Sequence, residues 1–360
     1  MKLKNLRLRN FRSYEEFYFE PKRGINIIVG KNASGKTNLL ESIYTLLKGK
    51  SFRTNRDREL INFSKDFFEI KGELDIDSLL VDYEVSFKNN KKELKINDNK
   101  IKNLSQYTQD TAVVVFSPKD LELIKSGPSK RREFIDELIS SVNMIYGFNL
   151  KRYEKLLSDR NLLLKKKYKT YDNDLLMDVY DIRLSSLGSY IISERNRWIE
   201  YLNKEIEEIF YLIANRDEKL RLRYRSNIKY ENPNEIEKIY YNELKKNAKR
   251  DNFFGQTLIG PHRDEIVFYI DDKELKQFGS QGQQRTVVLA LKLTEAKVYR
   301  KQKKLEPIII LDDVFSELDN FRRKGLLKSI GNSQSFLSTT DELDFYNIKI
   351  EKNIKKLKSK

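Results

Sequence analysis

The sequence predicts an α/β protein whose mixed sheets and helices are interrupted by an inserted, largely helical subdomain. Three observations carry that reading. Residues up to about Lys125 read mostly as strands, among them the nearly continuous apolar run Ile25-Asn26-Ile27-Ile28-Val29. From Lys130 to about Asn215 apolar residues recur at spacings of three and four, the helical period. Short apolar runs then return at Ile266–Ile270, Ile308–Leu311 and Ser335–Ser338. The expected division is therefore 1–126, a strand-rich lobe; 127–250, a largely helical insert; and 251–360, a second strand-rich part.

Leu3, Leu6 and Leu8 mark the apolar side of an opening strand. Ile25–Val29 has the character of a strand buried on both faces of a central sheet. Phe68–Leu74, Leu80–Phe87 and Glu93–Ile96 are further strands, and Asn97-Asp98-Asn99 supplies turn chemistry. Ala112-Val113-Val114-Val115-Phe116 is another buried strand, stopped by Ser117-Pro118. In the helical region Gly147 and Gly188 are the expected interruptions, and Trp198, Leu202, Ile206, Ile209 and Ile213 line one face of a long helix. Leu220–Arg225 reads as a strand, and Asn232-Pro233-Asn234 opens a helix running to about Lys249. The closing lysines Lys352, Lys355, Lys356, Lys358 and Lys360 form a basic tail.

Composition narrows the function classes. Among 360 residues, 70 are Lys or Arg and 54 are Asp or Glu, a formal charge of +16 that favours polyanionic partners. No apolar run approaches the roughly 20 residues that span a bilayer, so no membrane partner is expected. The first residues lack a signal-peptide core, and cytoplasm is the expected address. With no cysteine, disulfides and thiolate metal sites are excluded.

Gly30-Lys31-Asn32-Ala33-Ser34-Gly35-Lys36-Thr37 matches G-x-x-x-x-G-K-[ST], directly after a strand and before the helical run opening at Asn38. Backbone N–H groups of such a loop turn inward around phosphate oxygens, and the helix N-terminus adds positive dipole. Lys36 is expected to reach the β- and γ-phosphates of ATP, with Thr37 on Mg²⁺. Pro307–Asp313 is an apolar run ending in two carboxylates. Asp312 is the second candidate Mg²⁺ residue, and Asp313 would face the γ-phosphate and a water. Ser280-Gln281-Gly282-Gln283-Gln284-Arg285 precedes a helical run, which makes it a second anion-binding helix start. Arg53, Arg56, Arg58, Lys130, Arg131 and Arg132 are candidate DNA contacts, each weighed against an ordinary solvated charge. His262, the lone histidine, reads as structural rather than catalytic.

Taken in order, these segments resemble the ATP-binding-cassette (ABC-type) P-loop ATPase heads of the SMC-like DNA repair proteins, the RecF family above all. The resemblance adds the opening Leu6–Tyr14, Phe116–Leu121 near the Q-loop, Gly260-Pro261-His262-Arg263-Asp264-Glu265, and a D-loop after Asp312-Asp313 reaching Asp319. It implies that Arg12 approaches nucleotide phosphate. It implies an ATP-dependent homodimer in which Ser280 and the Gly282 amide of one subunit, flanked by Gln281 and Gln283, cap the phosphate held by Lys36 of the other. It further implies gapped or junction double-stranded DNA as the target, the partners RecO, RecR and RecA, and a place in replication, recombinational repair and the SOS response.

The pattern departs from the wider class in three places. Asp313 stands where glutamate is usual, one methylene shorter, which implies a weak, slow ATPase used as a switch. Thr339-Thr340-Asp341 occupies the place of a switch histidine, and no Q-loop glutamine follows Ala112–Phe116. The alternatives are a transporter-type ATPase subunit, which needs an intact signature and switch histidine, and a DNA-binding module with a vestigial ATP site.

Overall fold

Residues 1–165, 171–214, 218–314, 318–340 and 352–357 are described by a computed structural model. The chain begins with β1 (Lys2–Phe11), β2 (Tyr14–Phe19), β3 (Ile25–Val29), α1 (Lys36–Lys48), β4 (Phe67–Ile76), β5 (Leu79–Lys88), β6 (Lys91–Ile96) and β7 (Asn99–Lys100). It continues through α2 (Leu104–Tyr107), β8 (Val113–Phe116), α3 (Glu122–Lys125), α4 (Pro128–Val142), α5 (Met144–Leu164) and α6 (Tyr171–Ile213). Then come β9 (Leu220–Arg225), α7 (Ile236–Phe254), β10 (Glu265–Ile270), β11 (Lys273–Glu274), α8 (Leu275–Phe278) and α9 (Gln281–Val298). The last elements are β12 (Ile308–Leu311), α10 (Asn320–Ile330), β13 (Ser335–Thr339) and β14 (Lys352–Lys356). Mixed sheets with helices bear out the expected fold class.

Two compact units result. Met1–Asp120, Tyr211–Arg216 and Leu289–Lys360 make the first; Leu121–Phe210 and Asp217–Val288 make the second. These limits differ from the sequence division at 250/251, because residues 251–288, with β10 and β11, fold with the second unit.

The first unit holds two sheets. One, antiparallel along its whole length, has the order β2-β1-β4-β5-β6-β7. The other, β14-β3-β13-β12-β8, is parallel throughout. Its strands β8 and β12 are buried at every position, as parallel strands covered on both faces are. The core gathers Leu6, Leu8 and Phe11 of β1, Leu39, Ile43 and Leu46 of α1, Phe68 and Ile70 of β4, and Ile308 and Ile310 of β12. Buried Gln334 accepts from Leu3 N at 2.7 Å and donates to Leu3 O at 2.9 Å, fastening β1 to the start of β13.

Leu3 breaks the alternation of Leu6 and Leu8, yet all three are buried. The strand resolves the conflict with a register shift between Leu3 and Asn5 where β1 pairs with β4, which returns Leu3 to the core face. The Asn97-Asp98 turn has positive φ at both residues, 47° and 62°, as a two-residue hairpin turn of the I′ kind requires.

The second unit is helical, with one three-stranded antiparallel sheet, β11-β10-β9. Neither glycine expected to interrupt its helices does so. The break falls at Asn143, which ends α4 and caps α5 by accepting from Tyr146 N. Gly188 lies inside α6, where an added Cβ would stand 2.4 Å from a carbon of the Tyr240 ring. Its role is close packing. The helix opened by Asn232-Pro233 begins as a 3₁₀ turn and runs on as α7 to Phe254, beyond the expected Lys249, ending on left-handed Gly255. Two buried arginines hold the unit together. Arg160 bonds Asp181 and Asp251, both at 2.8 Å, and Arg195 binds Asp136 through two nitrogens at 2.8 and 2.7 Å.

Candidate nucleotide-binding site

Because the five-stranded sheet is parallel, β3, β12 and β13 deliver their C-terminal ends to one edge, where α/β sheets bind ligands. The loop Gly30–Gly35 leaves β3 there and α1 begins at Lys36. Gly30 N donates to Thr339 O at the end of β13 across 3.3 Å. Gly35 has φ +94°, and a Cβ there would stand 3.0 Å from both Ser13 Oγ and Tyr14 OH, so glycine is required on two counts. Tyr14 OH donates to Gly35 O at 3.1 Å, bracing the loop from β2. The start of α1 carries no side-chain cap. Its first N–H groups stay available to an anion.

Lys36 is buried and donates to Gly30 O at 2.8 Å and Lys31 O at 3.2 Å, folding its ammonium across the mouth of its own loop. Ser34 Oγ is buried in the same loop with no hydrogen-bond partner. Lys31, Asn32 and Ala33 form the exposed rim, Ala33 with φ +65°. Asn38 donates to Ser13 Oγ at 2.9 Å and accepts from Arg53 at 2.9 Å. Thr37 Oγ1 donates to Asp312 Oδ1 across 2.9 Å, so the two candidate Mg²⁺ residues, 275 positions apart in sequence, meet. Burial pushes the Asp312 carboxyl up, opposed by the hydrogen bonds from Thr37 and Ser338. An uncapped helix start, an orphaned hydroxyl, a lysine with only carbonyl partners, and a hydroxyl–carboxylate pair together fit a magnesium nucleotide.

Asp313 follows with φ +53°. Ser338 Oγ accepts from Asp313 N at 2.8 Å and reaches Asp312 Oδ1 at 2.9 Å and Asp313 Oδ1 at 3.3 Å. Sequence reasoning missed Ser338, since a serine on a buried strand carries no pattern of its own. It also missed Glu41, fully buried in α1. Arg12, expected near phosphate, grips Glu41 with two nitrogens at 2.9 and 2.8 Å and donates to Glu59 O at 2.7 Å. Ser51 and Arg53 bond the same carboxylate at 2.6 and 3.1 Å. A lone acid inside Leu39-Leu40-Glu41-Ser42-Ile43 was the signal available.

Ser280–Gln283 belongs to the second unit. Ser280 Oγ accepts from Gln283 N at 3.2 Å, and Gln283 Oε1 accepts from Ser280 N at 2.8 Å: a capping box at the start of α9. Ser280, Gln281 and Gly282 are exposed, and the hydroxyl hydrogen of Ser280 remains available to an anion. Phe315, Ser316 and Glu317 of the D-loop, Asp341 after β13, and the tail residues Lys358 and Lys360 lie outside the described residues.

Two of the candidate DNA contacts are structural. Arg131 is buried on Glu265 at 2.9 and 3.1 Å, and Arg132 donates to Asp264 O at 2.6 Å. Arg56 and Arg58 stay exposed. His262 is held as expected. Its Nε2 donates to Thr257 O at 3.0 Å, which leaves Nδ1 to accept from Tyr153 OH at 2.8 Å. Burial lowers its pKa to about 4, so it is neutral at pH 7.

Among the described residues, no helix is long and apolar enough to cross a membrane. Residues 2–348 match the family described as RecF/RecN/SMC N terminal domain. DNA replication and repair protein RecF of Clostridium novyi (strain NT) is 41% identical, over 96% of this chain and 94% of its own length. RecF of Bacillus cereus (strain B4264) is 38% identical over 98% and 96%. The solved recombination mediator RecF with ATP, from the RecFOR pathway, superposes at a TM-score of 0.88 with 35% identity, covering 97% of this chain and 93% of that one. An Smc head solved with the winged-helix domain of ScpA shares the fold, with a TM-score of 0.55 at 17% identity over 95% and 90%. The chain thus belongs to the RecF family of DNA replication and repair proteins, on an ATPase-type head fold.

Proposed function

We propose that this protein is a slow, DNA-stimulated ATPase that dimerises around ATP on gapped or junction double-stranded DNA in the cytoplasm. With RecO and RecR it promotes RecA loading. The observation carrying the nucleotide part is the convergence of Lys36, Thr37 and Asp312 at one sheet edge.

Lys36 exchanges the carbonyls of Gly30 and Lys31 for phosphate oxygens, and the amides of Ser34–Thr37 close around the same anion. A magnesium ion held by Thr37 and Asp312 would neutralise phosphate charge. Asp313, held through its N–H by Ser338, orients a water and accepts its proton. Its side chain is one methylene shorter than glutamate, which supports slow turnover and a timing role. Ser280 and the Gly282 amide of a second copy supply the remaining donors to the phosphate.

The test is binding to a gapped duplex with and without ATP, across a salt series, beside the Ser280→Arg variant. Tighter binding with ATP that the variant loses supports the nucleotide-bridged dimer as the DNA-engaging state. Binding indifferent to both overturns it.

A further inference from the structure

The second unit carries a row of arginines that the nucleotide site leaves unused. In Leu220-Arg221-Leu222-Arg223-Tyr224-Arg225, Leu220 and Leu222 are buried while Arg221, Arg223 and Arg225 stand exposed on the opposite face of β9. Tyr269 of β10 pairs opposite Arg221. The guanidinium groups of Arg223 and Arg225 lie 4.6 and 5.8 Å from the centre of its ring, and Arg225 donates to its hydroxyl. Stacking on one ring restrains these long side chains, so less rotamer freedom is lost when they bind.

Their charge is barely compensated. Arg223 meets Asp272 at 2.7 Å, but both groups are more than half exposed, and water screens such a pair strongly. Arg221 has no ion-pair partner among the described residues. Glu265, opposite Arg225, is occupied by Arg131. Alternate residues of a strand lie ~7 Å apart. That spacing is comparable with the separation of successive phosphates along one nucleic-acid strand. The open edge of β9 is closed to strand addition, because Asn203 of α6 bonds Leu222 N and Leu222 O, both at 2.8 Å. Only side chains are offered here.

We infer that Arg221, Arg223 and Arg225, the last two ordered on Tyr269, form a contact for the phosphate backbone of one DNA strand. It grips without reading bases, and it rests on the reading of the protein as DNA-binding. An acidic protein surface would also attract arginines. The regular single-sign spacing and the forked guanidinium donors favour a repeating phosphate chain.

The experiment uses the full chain carrying Arg221→Gln, Arg223→Gln and Arg225→Gln together, with duplex DNA, ATP and a salt series. Each lost phosphate contact removes about 0.9 from the slope of log affinity against log salt. The slope is expected to fall by roughly 2–3, with at least a tenfold loss of affinity at low salt and unchanged ATP affinity. The triple Arg→Lys variant should keep most of the slope. Should the triple Gln variant not fold, Arg221→Gln alone, which removes no ion pair or ring contact among the described residues, should lower the slope by about 1. Wild-type affinity and slope in the Gln variants overturn the inference, as does loss of a protein partner with DNA binding intact. Absence of duplex binding by the wild type would instead bring down the DNA-binding reading itself.

Discussion

Ser338 and Asp313 are bound to each other through main chain and side chain at once: the serine hydroxyl accepts from Asp313 N at 2.8 Å and lies 3.3 Å from Asp313 Oδ1. The same oxygen reaches Asp312 Oδ1 at 2.9 Å. One hydroxyl hydrogen serves two carboxylates. Ser338 therefore positions both Asp312, proposed to serve magnesium, and Asp313, proposed to serve the attacking water. Ser338→Ala should lower ATP turnover about 10–100-fold, the usual effect of removing an outer partner of a metal site. Nucleotide affinity should change less, and Ser338→Thr should restore much of the rate. Equal losses in affinity and turnover, measured by nucleotide titration beside single-turnover hydrolysis, would sink the positioning role.

Glu41 neutralises two arginines from full burial. Removing it leaves Arg12 only Glu59 O, leaves Arg53 only Asn38, and takes the acceptor from the Ser51 hydroxyl hydrogen. Glu41→Ala should destabilise the fold by about 3 kcal/mol, the low end for breaking a buried pair, because both arginines retain some access to water. Denaturant unfolding measures it. A loss below about 0.5 kcal/mol would mean that solvent replaces the carboxylate freely.

His262 sets a pH dependence. Its folded pKa of about 4 lies below the ordinary 6.5, because burial opposes the charged form. Between those values the unfolded chain binds more protons, so stability is fully present above pH 6.5 and is lost as pH falls toward 4. The shift corresponds to an upper bound of about 3 kcal/mol. The carboxyls of Asp181 and Asp264 shift upward and act in the opposite sense. The clean measurement is thus the difference between wild type and His262→Gln, by denaturant unfolding at pH 7 and pH 5. That difference should shrink at the lower pH; a constant difference would contradict a neutral buried imidazole.

Where motif and hydrophobic pattern agree, the sequence was informative. Gly30–Thr37 sits between a buried strand and a helix as its spacing requires, and Ile308–Leu311 carries Asp312 to it. What escaped were relations between distant segments. The bulge between Leu3 and Asn5 breaks strict alternation, the hydroxyl of Ser338 acts through strand adjacency, and Arg12 pairs with Glu41 across 29 positions. Glycine was misread for a related reason. Gly147 and Gly188 look like helix breaks in one dimension, but helical hydrogen bonds tolerate them and packing demands Gly188.

Gly188→Ala opposes two known effects. Alanine in a helix interior gains about 1 kcal/mol over glycine. Against this, the new methyl would overlap Tyr240, a fully buried ring whose hydroxyl is 2.9 Å from that of Tyr153. Overpacking of a pinned ring costs ~1–3 kcal/mol and should win. Net destabilisation in denaturant unfolding is expected; a stabilised variant would show that the ring moves aside.

Gly282 makes the opposite case. A Cβ there would meet nothing nearer than Ser280 Oγ, 3.9 Å away, so the chain's own packing does not require glycine. It lies in the first turn of α9, where its N–H has no helical acceptor, and it is exposed. If that amide serves the phosphate held by a second copy, a side chain at 282 obstructs the approach without harming the monomer. Gly282→Val should leave the unfolding midpoint within about 0.5 kcal/mol of wild type, as exposed substitutions do. The same variant should weaken ATP-dependent dimerisation at least tenfold by light scattering or sedimentation. A dimer that forms as in wild type would show that the glycine faces solvent in the nucleotide-bound state, and the bridging role of Ser280 and Gly282 would have to be given up.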